Sequence, residues 1–516
     1  MNFYFYLLVA TMAAIKKEEQ KAAIKKEEQV AAPDTEEQVL LKLLVNKETN
    51  KVLIAEAGKD FVDVLFSFLT LPLGTIARLI EKDSKKGPVS IGCLNKLYQG
   101  AIDLDEEYMQ TETSKEMILH PKNSSEDYCI NLKLNIDDIK PTKYFICCRF
   151  DCQCIQQKNL YTSTDKNCVY GKPLSRSTFL THFGRGFVKE RAAFVITDDL
   201  IVMPNSEFTG LSMLQNSGIK NTSSITEMTI NLTKEKVLDL LKCALLSKST
   251  LTDLFLKKKP LIQRSSVFSC DAVIKKNIKI ILKLVFRKSN GKILFAQGEK
   301  DFVDLLLSFL TFPLGGVVRV LGGNCSLGNI DFLYKSIVDL HANTFLTKEA
   351  KKRLVDPHLA PQFNKLSKQI LPIQKLRSHY YYYNRFLGLG NSIIQNQFFI
   401  TDENMNNEYA DYVRTDREVN LVSSNPKSPK ASDNGYVKAE GHRKYVVTDD
   451  LHIATSSPIS NLFLINNFKV PLHDVKEKLV TIGCNECLSI LKASLSSSSA
   501  LTNGLRHLLT NVKGEN

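Results

Sequence analysis

One stretch of this sequence occurs twice. Lys59 to Gly74 returns almost letter for letter as Lys300 to Gly315, at an offset of 241 residues. A repeat of this kind constrains the fold more than composition does, because both copies must suit the same local structure. Taken as a helix, the segment is apolar almost all round: Phe61, Val62, Leu65, Phe66, Phe68, Leu69 and Leu73 cover most of its circumference. Such a helix belongs in a core or a membrane. The uncharged run from Val64 to Ala77 has 14 residues and contains Pro72. A span needs about 20, so the expectation is a buried core helix. Asp63, Ser67, Thr70 and Gly74 share one line at helical spacing, and Asp304, Ser308, Thr311 and Gly315 repeat it. That line suits a narrow solvent stripe, a close approach by another element, or the floor of a binding groove.

Other pieces recur in order. Val39–Val45 and Lys51–Glu56 flank a polar turn, as Ile280–Phe286 and Lys292–Ala296 flank Asn290-Gly291. Both patterns predict a hairpin, and Asn-Gly is a strong hairpin turn. A second helix is expected over Ile91–Leu104 and Leu327–Leu340. Phe194–Leu200 matches Tyr445–Leu451, each a β-branched run ending in Thr-Asp-Asp-Leu and predicting a strand that enters a turn. Each copy closes with a helix, Val237–Thr252 and Cys487–Thr502. The fold class expected is α+β, with two tandem related domains, each a β-hairpin and buried helix followed by further strands and a closing helix. Residues 1–38 read as a flexible charged leader, 39–256 and 278–505 as the repeat domains, 257–277 as a basic linker and 506–516 as a tail. The polar stretch 404–443 reads as a loop.

These motifs together resemble the plant family catalogued as domain of unknown function 674. The resemblance runs from Leu40 to Leu505 and rests on several motifs in the same order, twice. It implies a land-plant protein with tandem copies, and it implies no activity.

The chemistry on offer is sparse. At 516 residues the chain exceeds one ordinary domain, and its net charge is +13. Lysine runs such as Lys257-Lys258-Lys259 account for much of that charge and suit solvated faces. Nucleic acid is therefore the minor reading for a partner, behind an unknown protein or small ligand. The sequence holds no nucleophile elbow, no Gly-rich phosphate loop and no His-x-x-x-His pair. Tyr380 to Tyr383, near Arg377 and Arg385, could stack bases, but a strand suits that composition better.

Two sets of residues carry metal chemistry as candidates. Cys148, Cys152, Cys154 and Cys168 could supply four thiolates to zinc, although no Cys-x-x-Cys pair stands in that patch. The repeated acids Asp60, Asp63, Asp198 and Asp199, with Asp301, Asp304, Asp449 and Asp450, could hold a divalent ion or run acid–base chemistry. The competing reading gives Asp60 and Asp301 to helix starts and the Asp-Asp pairs to turns. No catalytic or cofactor-binding residue is assigned. The 12 cysteines are scattered, and residues 2–14, apolar as they are, lack the basic start of a signal peptide. Cytoplasm or nucleus is the expected compartment, with no transmembrane helix. The leading function is a non-enzymatic binding or scaffold protein; the runner-up is a metal-dependent enzyme using the aspartates.

Overall fold

The computed structural model describes residues 39–82, 89–146, 159–161, 176–179, 186–206, 212–213, 215, 222–256, 279–360, 363, 371–373, 379–386, 396–401, 413–422, 435–439 and 444–510. In chain order the strands of the first half are β1 Val39–Asn46, β2 Lys51–Gly58, β3 Lys143–Ile146, β4 Asn159–Tyr161, β5 Arg176–Phe179, β6 Ala193–Thr197, β7 Val202–Pro204 and β8 Ile225–Leu232. Those of the second half are β9 Ile280–Arg287, β10 Ile293–Gly298, β11 His379–Phe386, β12 Asn396–Thr401, β13 Val413–Val422, β14 Tyr445–Thr448, β15 Ile453–Thr455 and β16 Val475–Ile482.

The fold is α+β. Two five-stranded antiparallel sheets have matching strand orders, β7-β6-β2-β1-β8 and β15-β14-β10-β9-β16. The expected hairpins are β1–β2 and β9–β10. Strand β1 alternates as a half-buried strand should, with Val39, Leu41, Leu43 and Val45 turned to the core. In the second hairpin Gly291 takes φ +69° at the turn, a conformation that glycine adopts at no steric cost. A third sheet, β12-β11-β13-β4-β3-β5, draws strands from both halves, joined by the parallel pair β13–β4.

The repeated segment forms a buried helix, Lys59–Ser67, and its counterpart is Lys300–Phe309. Neither runs as far as the repeat does. Pro72 lacks a donor and forces Leu71 into an extended conformation, so the chain breaks there and restarts as the helix Leu73–Lys82. The counterpart restarts as Leu314–Val320 after Pro313. The polar line is not a solvent stripe: Asp63, Ser67 and Thr70 are all buried. The stretch 404–443 is not wholly loop either, since β13 crosses it. Val413, Val419, Leu421 and Val422 were too diluted by charge to read as a strand.

The halves are interleaved. Pro72 and Pro313 form an antiparallel bridge, with Leu73 N donating to Phe312 O and Leu314 N to Leu71 O, both at 2.9 Å. The second helix of each half crosses to the other half's sheet. Leu94–Asp103 reaches β15, where a Cβ on Gly100 would lie 2.6 Å from Ile453 N. Ile330–Asp339 reaches β7, where Ser336 Oγ accepts from Val202 N at 3.0 Å. One continuous apolar core contains Phe61, Leu65, Phe302 and Leu306 together. Hydrophobic burial is thus shared across the repeat instead of being closed within each copy.

Candidate functional site

The repeated acids are built into that interleaving. Lys59 and Asp63 sit one turn apart on a helix that is otherwise apolar apart from Asp60 and Ser67. Lys59 Nζ donates to Asp63 Oδ2 at 2.7 Å and to Val188 O at 2.5 Å. Asp63 Oδ1 accepts from Phe187 N at 2.7 Å and Val188 N at 3.0 Å. Gly186 takes φ +69°, and a Cβ there would collide with the Asp63 carboxylate. Burial pushes Asp63 up to about 6, against the pull of Lys59 and the two amides.

The second half repeats this clamp. Lys300 Nζ lies 2.9 Å from Asp304 Oδ2 and also donates to Val437 O; Asp304 Oδ1 accepts from Tyr436 N at 2.7 Å and Val437 N at 3.1 Å. Each clamped segment then pairs with the other half. Val188 bridges Phe345, and Val437 bridges Met109. The lysine–aspartate pairs therefore fix the edges along which the halves meet.

The Asp-Asp pairs serve a second internal link. Asp198 accepts from Thr252 N and Thr252 Oγ1, each at 2.7 Å, and Thr252 Oγ1 accepts from Val52 N at 2.9 Å. Asp449 accepts from Thr502 N at 2.7 Å, and Thr502 Oγ1 from Ile293 N at 2.9 Å. The closing helices expected over Val237–Thr252 and Cys487–Thr502 each break at a serine, into Lys234–Leu246 and Thr250–Phe255 and into Cys484–Ser496 and Ala500–Leu505. It is the short second piece that is tied to the hairpin in each half. Asp199 and Asp450 accept from Thr197 and Thr448 inside their own turns. Leu200 and Leu451 follow at φ 65° and 68°, so both turns share one strained backbone shape. Asp60 stands in the first turn of its helix, paired with Lys133, and Asp301 occupies the matching place. The turn and helix-start roles are what the structure displays for six of the eight, while Asp63 and Asp304 serve the clamps.

Sequence reasoning did not find the clamp's partners, Gly186-Phe187-Val188 and Gly435-Tyr436-Val437. The signal was an oppositely charged pair at i and i+4 inside an apolar helix, which needs buried partners.

Open space lies along the seam. A crevice of about 410 Å³ runs between β7 and the helix Ile330–Asp339, with Met203, Pro204, Phe332, Lys335, Asp339 and His341 on its walls. A second of about 410 Å³ lies where the helix Leu94–Asp103 approaches the second sheet, walled by Lys96, Arg287, Lys292, Asp449, Asp450 and His452. It adjoins a polar hollow of about 520 Å³ lined by Ser496 to Ser499 and Arg506. Asp449, Asp450 and His452 do not converge there. His452 Nε2 turns across the seam to Asp103 Oδ2 at 3.0 Å, a hydrogen bond that holds Asp103 below its ordinary value.

Among the described residues no group of three or more His, Cys, Asp or Glu side chains is placed to hold a metal ion. Cys148, Cys152, Cys154 and Cys168 lie outside the described residues, so zinc there stays a proposal. Among the described residues Cys93, Cys129, Cys243, Cys325, Cys484 and Cys487 are buried and form no disulfide. Burial pushes the Cys93 thiol up to about 12, far from a reactive thiolate.

Residues 35–485 match the family described as Protein of unknown function (DUF674). The chain belongs to that family. Comparison with curated proteins and with solved structures finds no match. Within this DUF674 chain, the motifs that carried the resemblance are those of the clamp, the Pro-Leu-Gly seam and the aspartate–threonine link. Among the described residues no helix is long and apolar enough to cross a membrane.

Proposed function

We propose that the protein is a non-enzymatic binding or scaffold protein, built by duplication, whose two repeats present paired crevices along their shared seam. One observation carries this reading. The acids most suited to chemistry are engaged with backbone amides and threonine hydroxyls of the fold, as Asp63 is with Phe187 and Val188. A carboxylate committed in that way is a poor metal ligand or general base, because leaving its partners would strand buried donors. The crevice at Phe332 offers the usual makings of a ligand site, an apolar wall with a few polar groups at its rim. The repeat domains proposed are 39–256 and 278–505. Six buried cysteines that form no disulfide among the described residues support a reducing compartment, cytoplasm or nucleus. The land-plant origin comes from the resemblance alone.

The test is a fragment screen by thermal shift on the full chain, repeated on Phe332→Ala/Lys335→Ala. Saturable binders that stabilise the wild type and lose their effect in the variant support the reading. A screen whose hits are indifferent to the variant counts against the crevice as the site. Turnover that survives in Asp63→Asn but not in Asp449→Asn would favour an enzyme instead.

A further inference from the structure

The second sheet is covered on its outer face by the helix Pro458–Asn467, which lies over Val285, Leu294, Phe295, Val446 and Val470. Leu464 and Ile465 pack on that small cluster. The helix nonetheless has no buried residue and stands proud of the sheet. Ile459, Leu462 and Phe463 are 68%, 61% and 62% exposed. Their i, i+3, i+4 spacing places them in one stripe, turned outward. Leu472, 72% exposed, extends the ridge past the helix end. A globular helix normally turns its apolar stripe to the core, and clustered outward exposure marks an interaction surface.

The rim of this ridge is cationic. Lys444 O accepts from Ser456 N at 3.0 Å, which sets Lys444 beside the helix start. Lys469 follows the helix end, and Lys288 Nζ donates to His473 O at 2.8 Å, next to Leu472. Among the described residues none of these three lysines enters an ion pair, whereas the nearby acids are neutralised: Asp474 by Arg287 at 3.2 Å and Glu477 by Lys283 at 2.6 Å. A two-fold contact between copies of this ridge would set its lysines close to one another, which disfavours self-association. The complementary partner is anionic. An exposed apolar stripe flanked by lysines is the combination that seats a surface helix at an anionic lipid boundary.

We propose that this ridge docks the protein on an anionic lipid surface. Ile459, Leu462, Phe463 and Leu472 enter the boundary between headgroups and acyl chains, and Lys288, Lys444 and Lys469 face the lipid phosphates. Apolar insertion and electrostatic attraction add in such contacts, and the second is screened by salt. Attachment is peripheral. The ridge lies apart from the seam crevice at Phe332 and does not depend on its being a ligand site.

The experiment is co-sedimentation of the full chain with phosphatidylcholine vesicles and with mixed phosphatidylcholine–phosphatidylserine vesicles. Binding is expected on the mixed vesicles only, falling as salt rises. Leu462→Ser/Phe463→Ser and Lys444→Glu/Lys469→Glu change exposed side chains, so both should melt as the wild type does. Each should weaken vesicle binding by about tenfold or more. Failure to sediment overturns the proposal, as does equal binding by the variants. So would retention on immobilised polyglutamate without vesicle binding, which points to an acidic protein. A concentration-dependent dimer lost in Leu462→Ser/Phe463→Ser, again without vesicle binding, would overturn it in favour of self-association.

Discussion

Gly315 and Gly316 are neighbours in the helix Leu314–Val320, and the structure assigns them opposite fates on substitution. A Cβ on Gly315 would lie 2.7 Å from Leu354 O, 3.1 Å from Leu69 O and 3.3 Å from Leu69 Cβ. Two of those atoms are backbone, Leu354 O in the same half and Leu69 O in the other, so relief requires backbone to shift on both sides. Overpacking of this kind costs about 1–3 kcal/mol, against a helix-propensity gain of at most about 1 kcal/mol. Gly315→Ala should therefore lose roughly 1–2 kcal/mol. A Cβ on Gly316 meets Pro313 Cγ at 3.4 Å and Ile373 Cγ2 at 3.6 Å, which are ordinary contacts. Gly316→Ala should be neutral or gain up to about 1 kcal/mol, as the unfolded chain loses freedom. Urea titration of the two proteins, read by far-UV circular dichroism, compares them in one assay. With a slope of roughly 3 kcal/mol/M, a difference of about 1–3 kcal/mol should separate the midpoints by about 0.3–1 M. Equal midpoints would refute the close approach at Pro72 and Pro313.

Three further outcomes can be measured. Burial lifts Asp63 from 3.8 to about 6, so between those values the folded chain holds the proton more tightly than the unfolded chain. Its contribution to stability is complete below about pH 4 and is lost as pH rises through about 6, a fall of up to about 3 kcal/mol that Asp63→Asn should lack; parallel stability curves would refute this. Cleavage at a protease site placed within 257–277 should leave both halves co-eluting in native buffer and separating only in denaturant, whereas separation in native buffer would break the shared core. If the Cys148, Cys152, Cys154 and Cys168 patch holds zinc, purified protein should carry about one equivalent per chain, lost in Cys152→Ser/Cys154→Ser; metal-free protein whose folding ignores chelator would remove that candidate.

The local elements were legible because they depend on short-range pattern. The hairpins follow from alternation and from Asn290-Gly291, and the core helix from its apolar circumference. The assembly was not legible in the same way. Nothing in the period of Leu94–Asp103 says that its Gly100 will press on Ile453 from the other half. A duplicated sequence is equally compatible with two closed modules and with two that exchange helices, since both bury the same side chains. The polar line of Asp63, Ser67, Thr70 and Gly74 held the clue. Gly74 N donates to Leu310 O at 2.7 Å, a distance that a larger residue would not permit.

What repeats and what differs now separate by location. Lys59 and Asp63, Pro72 and Gly74, Asp198 and Thr252, with their counterparts, all act inside the fold, and the fold alone is reason enough for them to recur. Departures from the repeat lie outside. Arg506 stands where the first half has Leu256, Lys96 where the second half has Phe332, and the solvent-facing Phe463 where the first half has Ser212. A two-fold design gives each half the same scaffold, so a binding function that needs only one surface is free to settle on whichever half diverged. Substitutions that separate function from stability should therefore cluster at the unrepeated exterior positions. Those at the repeated interior positions should change stability first and binding only through it.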